Sequence, residues 1–89
     1  MTGQEQGVRD ILTLAHLLRE RMMNEDEVRF CYKKNDGVVR VAVGTLKKTI
    51  VPELKGTGRP LKDDLQLYYD IEKHAYRCFK KINLISIEL

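Results

Sequence analysis

A chain of 89 residues holds one domain near the lower end of what buries its own core, and 43% apolar against 33% charged residues fits a soluble, mixed-charge surface. No run approaches the roughly 18 apolar residues that a membrane helix needs, so no membrane partner is expected. Net charge is +3, yet nine Lys and Arg face only Asp36 and Glu53 between Val28 and Lys62, which concentrates +7 in the middle third.

Acidic brackets flank that middle: Glu25, Asp26 and Glu27 before it, Asp63 and Asp64 after it. A basic stretch of this kind attracts phosphates, or else forms a solvated face whose Lys and Arg discourage edge-to-edge strand pairing. The first residues, Met1 to Gln6, are polar and lack a basic start followed by an apolar run. They read as a disordered tail (residues 1–6) with no secretory signal. Cys31 and Cys78 lie far apart in strand-like patterns, which suits two reduced thiols in a cytoplasmic protein.

The single domain is predicted over residues 7–89. From Gly7 to Asn24 the apolar residues Val8, Ile11, Leu12, Ala15, Leu18 and Met22 recur at spacings of three and four, predicting a helix over 7–24. A helix of this length is marginal alone. Its apolar surplus either caps a barrel or pairs with a second copy of itself, and capping is the more economical. His16 has no second ligand three or four residues away and carries no metal reading.

Val28 to Lys33 alternates, with Val28, Phe30 and Tyr32 on one face. Asn35-Asp36-Gly37 follows, a strong hairpin signal because glycine accepts the positive φ of a tight turn. The returning strand, Val38 to Leu46, is expected to turn Val39, Val41 and Val43 inward, with Ala42 and Gly44 leaving its other face slim. Lys47 to Leu54 is a connection that Pro52 keeps from becoming a regular ladder. Lys55 to Pro60 is a glycine-rich basic loop without the Walker spacing.

In the next strand Leu65, Leu67 and Tyr69 alternate with Gln66, Tyr68 and Asp70. Ile71 to His74 makes a turn without glycine, and Ala75 to Lys80 returns with Tyr76 and Cys78 on one face, Ala75, Arg77 and Phe79 on the other. A brief turn at Lys81 to Asn83 leads into a short last strand, Leu84 to Ile87. One N-terminal helix and five short strands over 28–87 predict a mainly β fold, a small, strongly bent antiparallel barrel.

Three segments carry a resemblance: Phe30-x-Tyr32-Lys33-Lys34-x-Asp36-Gly37-x-x-Arg40, then Gly44-Thr45-Leu46, then Tyr69-Asp70 with Ala75-Tyr76-Arg77-Cys78-Phe79-Lys80. Over residues 28–87 the chain resembles the WYL-like family of small bacterial and phage proteins with an Sm-like, Src-homology-3-like barrel. WYL domains in larger bacterial regulators sense nucleotide or nucleic-acid ligands through basic and aromatic residues. The resemblance therefore implies such a ligand, with Arg77 of the matching strand as the leading contact. The Trp-Tyr-Leu triplet that names the family is absent, as is any tryptophan.

Two functional readings follow. In the first the barrel is a non-catalytic, regulatory module for nucleic acid or nucleotide, with Arg77, Lys80, Arg40, Lys47 and Lys48 supplying charge and Tyr68 or Tyr76 stacking on bases. The bland alternative is that those aromatics fill the core. In the second the partner is a protein or a second copy, met through a barrel edge or the apolar helix face. An enzyme is not expected, because no nucleophile stands beside a base in any recognisable motif. The acidic clusters lack calcium-loop spacing, so no metal and no cofactor are expected either.

Overall fold

The computed structural model describes residues 3–53 and 62–88, with side chains from residue 13 onward. The side chains of Val8, Ile11 and Leu12 of the predicted stripe and the whole Lys55 to Pro60 loop therefore lie outside what is described.

Helix α1 spans Gly3–Asn24, four residues longer at its start than the apolar spacing predicts. Ala15, Leu18 and Met22, at the expected spacing, are buried in the same core cluster as Val28, Phe30 and Leu84. The helix thus packs across the sheet interior of its own chain. Its end is fastened by side chains. Arg21 clasps Glu25 with two hydrogen bonds of 2.8 and 3.1 Å and donates a third, also 2.8 Å, to the Glu88 carbonyl. Thr45, fully buried, donates its hydroxyl hydrogen to the Glu25 carbonyl at 2.7 Å and accepts from the Lys47 N–H at 3.1 Å. The Leu46 N–H closes the last turn onto the Met22 carbonyl at 2.9 Å.

Five strands follow: β1 Val28–Lys33, β2 Val39–Thr45, β3 Leu65–Asp70, β4 Ala75–Lys80 and β5 Leu84–Ile87, with a 3-10 turn over Lys81–Asn83. They form one antiparallel sheet in the order β4-β3-β2-β1-β5. The β1–β2 hairpin closes where the sequence predicts. Gly37 takes φ +88°, and the Asp36 carboxylate accepts from the Val38 N–H at 3.0 Å. The β3–β4 turn lacks glycine and uses His74 at φ +54° instead. Asp70 supports that turn by accepting from the Lys73 N–H at 3.0 Å.

The sheet curls without closing: β4 and β5 remain its two edges. Along the sheet β4 is three strands from β1, about 14 Å if flat. Yet the Phe79 ring of β4 stacks on the Tyr32 ring of β1 at 4.5 Å and 13°, so the inner face folds over on itself. Phe30 meets Tyr68 edge-on at 5.1 Å, completing the aromatic centre. The architecture is therefore one helix over a curled five-stranded sheet, an incompletely closed version of the expected barrel.

One expectation is reversed. Phe30 pairs with Ala42 and Tyr32 with Arg40, and paired residues share a face. With Phe30 and Tyr32 inside, the inner set of β2 is Arg40, Ala42 and Gly44. Val39 and Val41 are on the outer face, 54% and 65% exposed. The physical reason is the size of the rings opposite. A Cβ on Gly44 would lie 2.7 Å from Tyr68 Cδ2 and 3.2 Å from Phe30 Cε1, so the slim side of β2 has to be the inner one. The close neighbour that Gly44 admits is a tyrosine ring.

Candidate anion-binding cleft

The pleat that sends Ala42 and Gly44 inward carries Arg40 inward as well, two residues nearer the hairpin. On β4 the same alternation puts Arg77 on the inner face with Phe79, and Tyr68 pairs with Arg77 across the β3–β4 ladder. Because the sheet curls without closing, β4 faces the β1–β2 hairpin across a gap. That gap is a cleft of about 590 Å³, lined by Lys34, Asp36, Arg40, Arg77 and Lys80, with Tyr32, Leu65, Cys78 and Phe79 as its less polar surface.

Its electrostatics are uneven. Four cations line it, against Asp36 on the rim and Asp70 beneath. Lys34 reaches Asp36 at 3.5 Å, an exposed pair of little strength. Asp70 is buried, with its Oδ2 3.5 Å from Arg77 Nε. That contact is Coulombic, because the shielded Arg77 Nε makes no aligned hydrogen bond among the described residues. Arg40 is held charged above its ordinary value, first by the Tyr32 hydroxyl beside it and then by Tyr68 and Asp70, with desolvation opposing them. The Tyr32 and Tyr68 hydroxyls share a hydrogen bond of 2.8 Å. Burial pushes the Tyr68 phenol far up, and the Tyr32 hydroxyl adds to the shift.

The candidates named from sequence separate into groups. Arg40, Arg77 and Lys80 meet in the cleft. Lys47 does not: its ammonium pairs with Asp26 at 2.8 Å beside the helix end. Lys48 is exposed in the turn after β2, also apart from the cleft. Tyr76 is half-buried on the outer face of β4, where it packs edge-on against Tyr69 at 5.2 Å and donates its hydroxyl to the Pro52 carbonyl at 2.7 Å. Tyr68 is 0% exposed, so no base can reach either face of its ring.

Sequence reasoning passed over Lys34 and Asp70. Lys34 was visible as the residue next to the Asn-Asp-Gly turn, since a hairpin tip is where a long side chain can reach across an open gap. Nothing local marks Asp70. Its place beneath Arg77 depends on how the β3–β4 hairpin folds inward. No group of three His, Cys, Asp or Glu among the described residues could hold a metal ion, and no described helix is long and apolar enough to cross a membrane.

A family model described as WYL_2, Sm-like SH3 beta-barrel fold, matches residues 15–85. No curated protein and no solved structure matches the chain.

Proposed function

The chain belongs to the WYL_2 family of Sm-like, SH3-type barrels, and we propose that in this member the cationic cleft binds nucleic acid or a nucleotide without a catalytic step. The observation that carries the reading is the convergence of Lys34, Arg40, Arg77 and Lys80 on one concave gap. The two arginines come from strands that are not neighbours in the sheet, so a run of sequence charge alone does not produce the cluster. Clefts lined by one sign of charge concentrate ions of the other and speed their capture. Arginine adds planar, forked donors that suit a phosphate.

The test is an amide-shift titration of the labelled protein with short single-stranded DNA and RNA at low and moderate salt. Shifts that centre on Lys34, Arg40, Arg77 and Lys80 and weaken with salt are expected. Absence of shifts at low salt, where screening is weakest, would overturn the reading.

A second reading rests on a different surface. Strands β4 and β5 are unpaired sheet edges, and Val38, Val39 and Val41 are exposed outside the sheet. A protein partner or a second copy could add a strand there. Addition at the β5 edge would move the amides of Leu84 to Ile87 and leave the cleft unperturbed.

A further inference from the structure

Resting on the nucleic-acid or nucleotide reading, we infer that the cleft grips a phosphate group and leaves the base unread. Single-strand binders that hold bases combine cations with open aromatic faces. Here the cations are present and the open faces are not. Tyr32 and Phe79 reach the cleft, but they are 4% and 5% exposed and occupy each other's ring faces in a 4.5 Å stack. Tyr68 is sealed, and Tyr76 is tied to Pro52 on the opposite face of β4.

What the cleft offers instead is charge and N–H donors. Arg40 and Arg77 bring guanidinium groups on partly buried side chains, which face less competition from water than surface lysines do. Asp70 stands against both, and Asp36 on the rim pairs with Lys34. Lys34 and Lys80 come from the hairpin tip and from β4. All four cations line the one gap. Lys47 does not line the gap, and its ammonium pairs with Asp26. A volume of about 590 Å³ falls in the range of small-ligand sites.

The phosphate has two sources, a free nucleotide or a strand, and the same experiment separates them. Binding of the whole chain is measured by amide titration with ribose 5-phosphate, AMP, adenosine and a short 5′-hydroxyl oligothymidylate. Ribose 5-phosphate should bind within about threefold of AMP, with adenosine at least about tenfold weaker, a gap that one charge-assisted hydrogen bond supports. If the oligothymidylate binds as well as ribose 5-phosphate, the source is a strand. If it binds distinctly more weakly, the source is a free or terminal phosphate. For a strand held at one point, log affinity against log salt should be shallower than about −1.5, since each neutralised phosphate contributes roughly −0.7.

Lys80→Gln, a change at an exposed position of β4, should weaken ribose 5-phosphate several-fold with the spectrum otherwise unchanged. Arg77→Gln should weaken it more. Adenosine binding as well as AMP, ribose 5-phosphate lost relative to AMP, or a steeper salt slope would each overturn the inference while leaving the broader reading in place. If none of these probes and no DNA or RNA binds at low salt, the broader reading falls with it.

Discussion

The inner face of the sheet is finished in two ways. Around Val28, Phe30 and Leu84 it is apolar and covered by Ala15, Leu18 and Met22 of the helix. Around Tyr32, Arg40 and Arg77 it is polar and opens into the cleft. One pleat builds both regions, and Phe30 and Tyr32, two residues apart on β1, belong to one each. The difference lies in what covers them. The first has a helix fastened by Thr45 and Arg21, so its groups lose water and must be apolar or, like Thr45, hydrogen-bonded. The second keeps access to water, and a guanidinium can remain there because its charged end is solvated or paired.

The sharpest way to break the contrast is to remove packing from the covered region. Leu18 is fully buried in the helix–sheet contact. Leu18→Ala should cost about 2–5 kcal/mol, the usual range for a large-to-small change in a core. In a domain this small that is a large part of total stability. Chemical denaturation with and without the substitution measures it. A cost below about 1 kcal/mol would mean that the helix is only loosely seated on the sheet.

A smaller effect is expected at the boundary between the regions, where Tyr68 lies buried with its hydroxyl on Tyr32. Its folded-state pKa is raised, by burial first, so the neutral phenol is what folding favours. The unfolded chain releases that proton near pH 10, the ordinary tyrosine value. Stability from this group is therefore fully present below about pH 10 and declines as pH climbs above it. Tyr76 is shifted the same way, by burial and by the nearby Tyr69. The shift at Tyr68 is the larger, so Tyr68→Phe should flatten the alkaline loss of stability more than Tyr76→Phe does. Equal slopes for the two variants and the parent would show that Tyr68 ionises freely in the folded protein.

Most of the architecture was legible because it depends on local chemistry. The helix follows from three- and four-residue spacing, and the first hairpin from Asn35-Asp36-Gly37. The succession of five strands along the chain follows from alternation between turns. The cleft was legible only in part. Arg40, Arg77 and Lys80 could be named from charge and from a family motif, but their meeting depends on how far the sheet curls, which no short window encodes. Tyr68 was the harder case. An aromatic in an alternating strand is equally consistent with a wet or a dry face until the opposite strand is known, and the answer came from Gly44, whose missing side chain makes room for the ring.

The smallest predicted effect tests the point at which hydrophobicity misleads. Three valines in alternation are the strongest apolar signal in β2, and they point outward because the interior is already filled by rings from β1, β3 and β4. Val41 is 65% exposed and pairs with Cys31 on that outer face. Threonine keeps the β-branched shape that a strand favours and adds a hydroxyl that water can satisfy here. Val41→Thr should then change stability by no more than about 0.5 kcal/mol, as surface substitutions do. Were Val41 inside, the same hydroxyl would be buried without a partner and cost roughly 1–3 kcal/mol. A loss of that size in denaturant unfolding would shift the register of β2 by one residue, turn Arg40 away from Arg77, and dissolve the cleft.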